Sequence, residues 1–162
     1  MGKELKTNVM RILDRAKIPY QPRYYQAADG KIDGLSVARK MGEEVDKVYK
    51  TLVTRGAGGG YFVFVVPVAE ELNLKAAARS VGEKSVEMIH VSEINKATGY
   101  IRGGCSPVGM KKRYPTVFDL SCLKEKTIFV SGGRIGTQVE ADPRALISFL
   151  GAKTADIAQE VP

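Results

Sequence analysis

"VYKTLVTRGAGGGYFVFVVPV", residues 48–68, is the stretch on which the fold turns. Two runs rich in β-branched and aromatic residues flank GAGGG, and a glycine-rich turn between such runs predicts a β-hairpin. The second arm, YFVFVVPV, is apolar on both faces, which places it in a sheet interior. The first arm is less simple, because it carries Lys50. Counting by two sets Lys50 with Val48 and Leu52 on one face, and Tyr49, Thr51 and Val53 on the other. Neither face is plainly wet. A lysine in such a place either sits at an edge, stem packed and head in water, or points into a pocket. In a pocket, a fixed cation binds phosphate or ribose, or stabilises an oxyanion.

Working outward, Val9, Ile12, Leu13 and Ala16 recur at helical spacing behind Thr7 or Asn8, either of which can cap; Pro19 then ends the helix. A polar connector follows, with a short strand around residues 23–26. Ser36 is expected to open a second helix that runs through Met41 and closes at Gly42. Beyond the hairpin, Asn73 caps a helix ending at Gly82, SVEMIHV reads as a strand containing His90, and Ser92 to Thr98 reads as a helix. YIRGGCSPVGMKKRYPTVFD is irregular, and KTIFVSGGRIGTQVEA reads as two strands about a glycine turn. Asp142, Pro143 and Gly151 frame a terminal helix. The sum is one α+β domain over residues 1–162, a mixed or antiparallel, partly closed β-sheet surrounded by helices.

Composition narrows the function classes. A formal charge of +7 favours an anionic partner such as nucleic acid, and no block of like charges concentrates it on a tail. The N-terminus lacks a signal-peptide apolar core, and Lys6 stands where a myristoylation signal wants Ser or Thr. No apolar run is long enough to span a bilayer. Cys105 and Cys122 read as free thiols in a reducing, cytoplasmic setting. With one histidine and no C-x-x-C spacing, neither a metal nor another cofactor is expected. GCSPVG is no nucleophile elbow, since Pro107 cannot supply the amide that an oxyanion hole needs after the serine. Two glycine loops remain. Gly103 and Gly104, with Ser106, Pro107 and Gly109, can bring backbone amides close to a ligand. Arg102, Lys111, Lys112 and Arg113 flank that loop as a nucleic-acid backbone site would want. Ser131 to Gly136 forms the second loop.

Five motifs in this order and spacing resemble the YbaK/EbsC family: KTNVMRILDRAKIPY, VYKTLV, NLKAAARSVGEKSVEMI, TGYIRGGCSPVGMKKR and FVSGGRIG. More narrowly they are similar to its bacterial Cys-tRNA(Pro) deacylases, which share a fold with the editing domain of prolyl-tRNA synthetases. The resemblance implies a trans-editing enzyme that removes cysteine from Cys-tRNA(Pro), and from Cys-tRNA(Cys), without cofactor. It implies catalytic roles for Lys50 and Gly103, and substrate binding by Tyr25, Thr51, Gly104, Ser106, Pro107 and Ser131. Its implied partners are the 3′ end of aminoacyl-tRNA and prolyl-tRNA synthetase. Ile135 departs from the pattern, standing where an arginine is common. Two alternatives stay open: water-mediated hydrolysis of another mischarged tRNA such as Ala-tRNA(Pro), and a non-catalytic tRNA- or synthetase-binding module.

Overall fold

A computed structural model describes residues 5–162; the signal-peptide and myristoylation readings fall partly on residues 1–4, outside the described residues. The hairpin is present as β2 (Tyr49–Gly56) and β3 (Tyr61–Pro67), antiparallel with Lys50 opposite Val66. The pleat explains why β3 is apolar throughout. Val65 joins a core with Val9, Leu13, Phe118 and Leu146, while Phe64 and Val66 join a second core on the opposite face with Leu72, Ala77 and Ile157. Burying each such side chain stabilises the fold by about 1.5–3 kcal/mol.

The helices behave as their sequences dictate. Thr7, not Asn8, accepts from Met10 N at the head of α1 (Asn8–Arg15). In α2 (Gly34–Met41) the expected start at Ser36 is two residues late. Asp33 is the N-cap, accepting from Ser36 N at 3.1 Å and from Ser36 Oγ at 2.6 Å. Asp and Ser both suit an N-cap, and here the carboxylate takes the outer place. Asn73 caps α3 (Leu74–Ser80) and Asp142 caps α5 (Pro143–Leu150), as read from the sequence. His90 is not in a strand. After β5 (Val86–Met88) the chain turns, and His90 stands exposed at the N-cap of α4 (Val91–Thr98).

The other strands are β1 (Tyr20–Tyr24), β4 (Glu70–Leu72), β6 (Thr116–Asp119), β7 (Ile128–Arg134), β8 (Thr137–Ala141), β9 (Lys153–Ala155) and β10 (Ala158–Glu160). They form three sheets: a mixed one ordered β5-β2-β3-β6-β9, an antiparallel one ordered β1-β8-β7, and the pair β10-β4. The expected partial closure is not found, and the sheets stay open. Two devices join them. Val48 meets Phe129 in an isolated parallel bridge between the two larger sheets. Asp119, 4% exposed at the end of β6, accepts from the amides of Ile157 and Ala158 at 2.9 and 3.0 Å and so fixes the approach to β10.

Candidate active site

The outer edge of β2 is only partly paired. Val48 is held at one end by its bridge to β7, and β5 pairs with Thr54, Arg55 and Gly56 at the other. Val48 and Gly56 bond across to the β3 side, so ladder alternation turns the amide and carbonyl of Thr51 outward, toward the gap. A cavity of about 910 Å³ occupies that gap, and Lys50 and Thr51 line it. Its size lies within the range usual for small-molecule sites.

Three further segments wall it. Residues 25–34 bring Tyr25 and Ile32, the loop after α4 brings Arg102, Gly103 and Cys105, and the β7–β8 hairpin brings Ser131 and Gln138. Tyr25 N donates to Gly136 O at 3.0 Å, which docks the first wall on the second glycine loop. Tyr24 points elsewhere and is exposed. Gly103 has φ +88°, and a Cβ there would stand 2.7 Å from Ile32 Cδ1, so only glycine fits without a shift. Among the described residues no hydrogen bond occupies Gly103 N–H.

Lys50 is half-buried, and its burial lowers the ammonium's pKa below the usual lysine value, with Glu71 opposing. Among the described residues it has no hydrogen bond or ion pair. It is therefore a cation that the fold desolvates without pairing.

Several expected contacts lie elsewhere. Gly104 does not line the cavity. Its amide donates to Ile101 O at 3.0 Å, and a Cβ there would meet Arg134 Cα at 3.1 Å, so it is a glycine of close packing. Ser106 and Pro107 are buried behind the loop, where Ser106 Oγ accepts from Val108 N at 3.3 Å. Of the basic cluster, Arg102 alone reaches the lining. Lys111, Lys112 and Arg113 are exposed outside it, Lys111 reaching Lys96 O and Arg113 lying over the Phe149 ring.

A family model for the aminoacyl-tRNA editing domain matches residues 35–149, most of the chain and every wall of this cavity except residues 25–34. The chain belongs to the aminoacyl-tRNA editing domain family. Over 94% of its length it is 41% identical to a protein from Enterococcus faecalis provisionally named Cys-tRNA(Pro)/Cys-tRNA(Cys) deacylase EbsC, 93% of which is covered. The fold recurs in the crystal structure of a candidate trans-editing enzyme for prolyl tRNA synthetase, at TM-score 0.80 and 25% identity over 96% of this chain and 99% of that one. A hypothetical protein's crystal structure superposes at TM-score 0.84 and 25% identity, covering 93% and 99% of the two chains. The resemblance read from the five motifs is thereby borne out.

The lining of this editing domain also includes Gln138, which the sequence did not single out, and Cys105, which it marked only as a free thiol. Gln138 carried no signal of its place, because in TQVEA it shares a face with Glu140 and alternates with Thr137, Val139 and Ala141, the pattern of a wet position. Its surroundings disfavour Cys105 as a nucleophile. Burial pushes its thiol up to about 11, with Thr98 beside it opposing the shift, so the thiolate is scarce at pH 7. Cys105→Ala is therefore expected to keep kcat/KM within about threefold of wild type. Alkylation of the native protein by iodoacetamide is expected to be slow near neutrality and to climb steeply toward the thiol's raised value. Rapid neutral labelling at Cys105, or loss of activity on its removal, contradicts this.

No helix among the described residues is long and apolar enough to cross a membrane. No group of three or more His, Cys, Asp or Glu among them could hold a metal.

Proposed function

We propose that residues 1–162 form one editing domain, a trans-editing deacylase that removes cysteine from mischarged Cys-tRNA(Pro) and from Cys-tRNA(Cys). The observation that carries this reading is the cavity's chemistry. A desolvated lysine and a left-handed glycine line it together, no histidine does, and its only thiol is held protonated. Such a site suits a substrate that brings its own nucleophile. The 41% identical relative's name supports the same substrate class.

In this reading the substrate's thiol sulfur attacks its own ester carbonyl. A carbon–sulfur bond forms, the bond to the ribose oxygen breaks, the thiol proton ends on that oxygen, and a thiolactone leaves. The protein's part is positioning and charge. Folding the aminoacyl group into a near-attack geometry supplies up to about 7–11 kcal/mol in favourable cases. Gly103 N–H faces the developing oxyanion, and such a donor is typically worth about 3 kcal/mol. The Lys50 ammonium anchors the terminal adenosine through ribose or phosphate, and Arg102 at the rim meets the incoming backbone. Tyr25, Thr51 and Ser131 hold the aminoacyl group, with Gly104, Ser106 and Pro107 shaping the loop from behind. The reading places the protein in the cytoplasm, with aminoacyl-tRNA 3′ ends and prolyl-tRNA synthetase as partners.

A panel of Cys-, Ser- and Ala-charged tRNA(Pro), with products identified by mass spectrometry, tests it. Cysteine is expected to leave as a thiolactone, with Ser-tRNA(Pro) turned over at least about 100-fold more slowly. Free cysteine as first product, with comparable release of alanine, would replace the reading by water attack. Binding without turnover across the panel would leave a tRNA-binding module.

A further inference from the structure

Two buried side-chain oxygens among the described residues lack any hydrogen-bond partner, Thr51 Oγ1 and Gln138 Oε1. Both residues line the same cavity, although they come from different sheets. Gln138 is 7% exposed in β8, opposite Ser131, with Thr137 and Val139 buried on either side. Buried polar atoms are ordinarily paired, so two orphans on one cavity mark where a ligand's donors go. Ser131 Oγ does not share the vacancy, since it already accepts from Gly133 N at 3.1 Å.

The charges around the cavity say what kind of donor. Lys50 and Arg102 are its cations, and Asp33 is its one carboxylate. Each Asp33 oxygen already accepts one hydrogen bond from Ser36 at the head of α2, one from its amide and one from its hydroxyl. Besides that capping carboxylate, a group carrying several N–H donors finds two neutral oxygens that no partner has taken. A carboxamide oxygen accepts and cannot donate, while a threonine hydroxyl does either. Of the groups on the cysteinyl moiety, the α-amino group alone offers more than one donor. The ester carbonyl offers none, and a thiol is a weak donor.

Resting on the deacylase reading, we propose that the Gln138 carboxamide, together with the Thr51 hydroxyl, docks the α-amino group of the aminoacyl substrate. Gln138 is then a specificity residue that separates a free aminoacyl ester from one lacking its amine. It also fixes the direction in which the side-chain thiol leaves Cα, and so bears on positioning.

The test crosses two substrates with two proteins. Cys-tRNA(Pro) is compared with tRNA(Pro) carrying 3-sulfanylpropanoate, which keeps the thiol and lacks the amine. Wild type is expected to prefer the cysteinyl ester by roughly 10- to 100-fold in kcat/KM, the range of a hydrogen bond to a charged group. In Gln138→Met, of similar length, the two rates are expected to converge. The preference is a ratio within one preparation, so partial misfolding of a variant does not alter it. Gln138→Glu, which keeps the acceptor, is expected to retain the preference. Absence of preference in wild type overturns the proposal, as does equal slowing of both substrates in Gln138→Met. If wild type turns over neither ester, the deacylase reading itself fails and takes this proposal with it.

Discussion

Lys50→Ala is expected to lower kcat/KM for Cys-tRNA(Pro) by at least about 10²–10³-fold, the scale seen when a charge-stabilising group leaves an active site. The fold is expected to survive. The ammonium makes no ion pair among the described residues, and burial penalises its charged form, so its removal lifts a cost instead of breaking a contact. The variant's melting temperature at neutral pH should be no lower than that of wild type. The sign of the pH dependence follows. With its folded pKa lowered, Lys50 binds fewer protons in the folded chain than in the unfolded one between the lowered value and 10.5. Wild-type stability relative to the variant thus rises with pH across that window, while wild-type activity falls there as the cation is lost. Unimpaired deacylation by Lys50→Ala, or a melting temperature several degrees lower, would sink the assignment.

Gly103→Ala is expected to cost about 100-fold in kcat, because it moves the amide that the proposed mechanism turns toward the oxyanion. Two effects combine. The backbone sits at φ +88°, where an L-residue is strained by roughly 1–2 kcal/mol. The new methyl would also stand 2.7 Å from Ile32 Cδ1, on the wall formed by residues 25–34. Gly42→Ala separates the two. That glycine caps α2 at φ +69° with nothing within 4 Å of a Cβ, so it bears the strain and no clash, away from the cavity lining. The melting point of Gly42→Ala should fall by a few degrees, roughly 2–8 °C, and that of Gly103→Ala by at least as much, with deacylation lost only at Gly103. Equal kinetics in the two variants contradict the role given to Gly103.

How much was legible follows how local each signal is. The β2–β3 hairpin, the Asn73 and Asp142 caps and the glycine stops at residues 42, 99 and 151 are written in neighbouring residues, and all appear. Strand β6 was hidden in the irregular stretch. Its four residues become a strand through parallel pairing with β3, some fifty residues earlier, and no local pattern announces that. Strands β9 and β10 are equally short and are fixed by β6, β4 and Asp119. The site divides in the same way. Lys50, Gly103, Tyr25, Thr51, Ser131 and Arg102 come to one cavity. Ser106 and Pro107, adjacent in sequence to that wall, turn inward because the loop closes through Ser106 Oγ on Val108 N. Adjacency in a loop does not determine which side chains face out.

The unfinished edge of β2 has one more consequence. A strand with outward amides and carbonyls normally invites another chain to extend the sheet. Here the approach to Thr51 is fenced by residues 25–34 on one side and by α4 with its following loop on the other. An added β-strand needs a lane about 4.8 Å from its neighbour along a whole ladder, and β5 and β7 already block both ends of that lane. The enclosure acts as a sieve by length. It leaves no lane for polypeptide, which must lie along the strand, and under the proposed function an acyl group enters it end-on from the tip of a larger molecule.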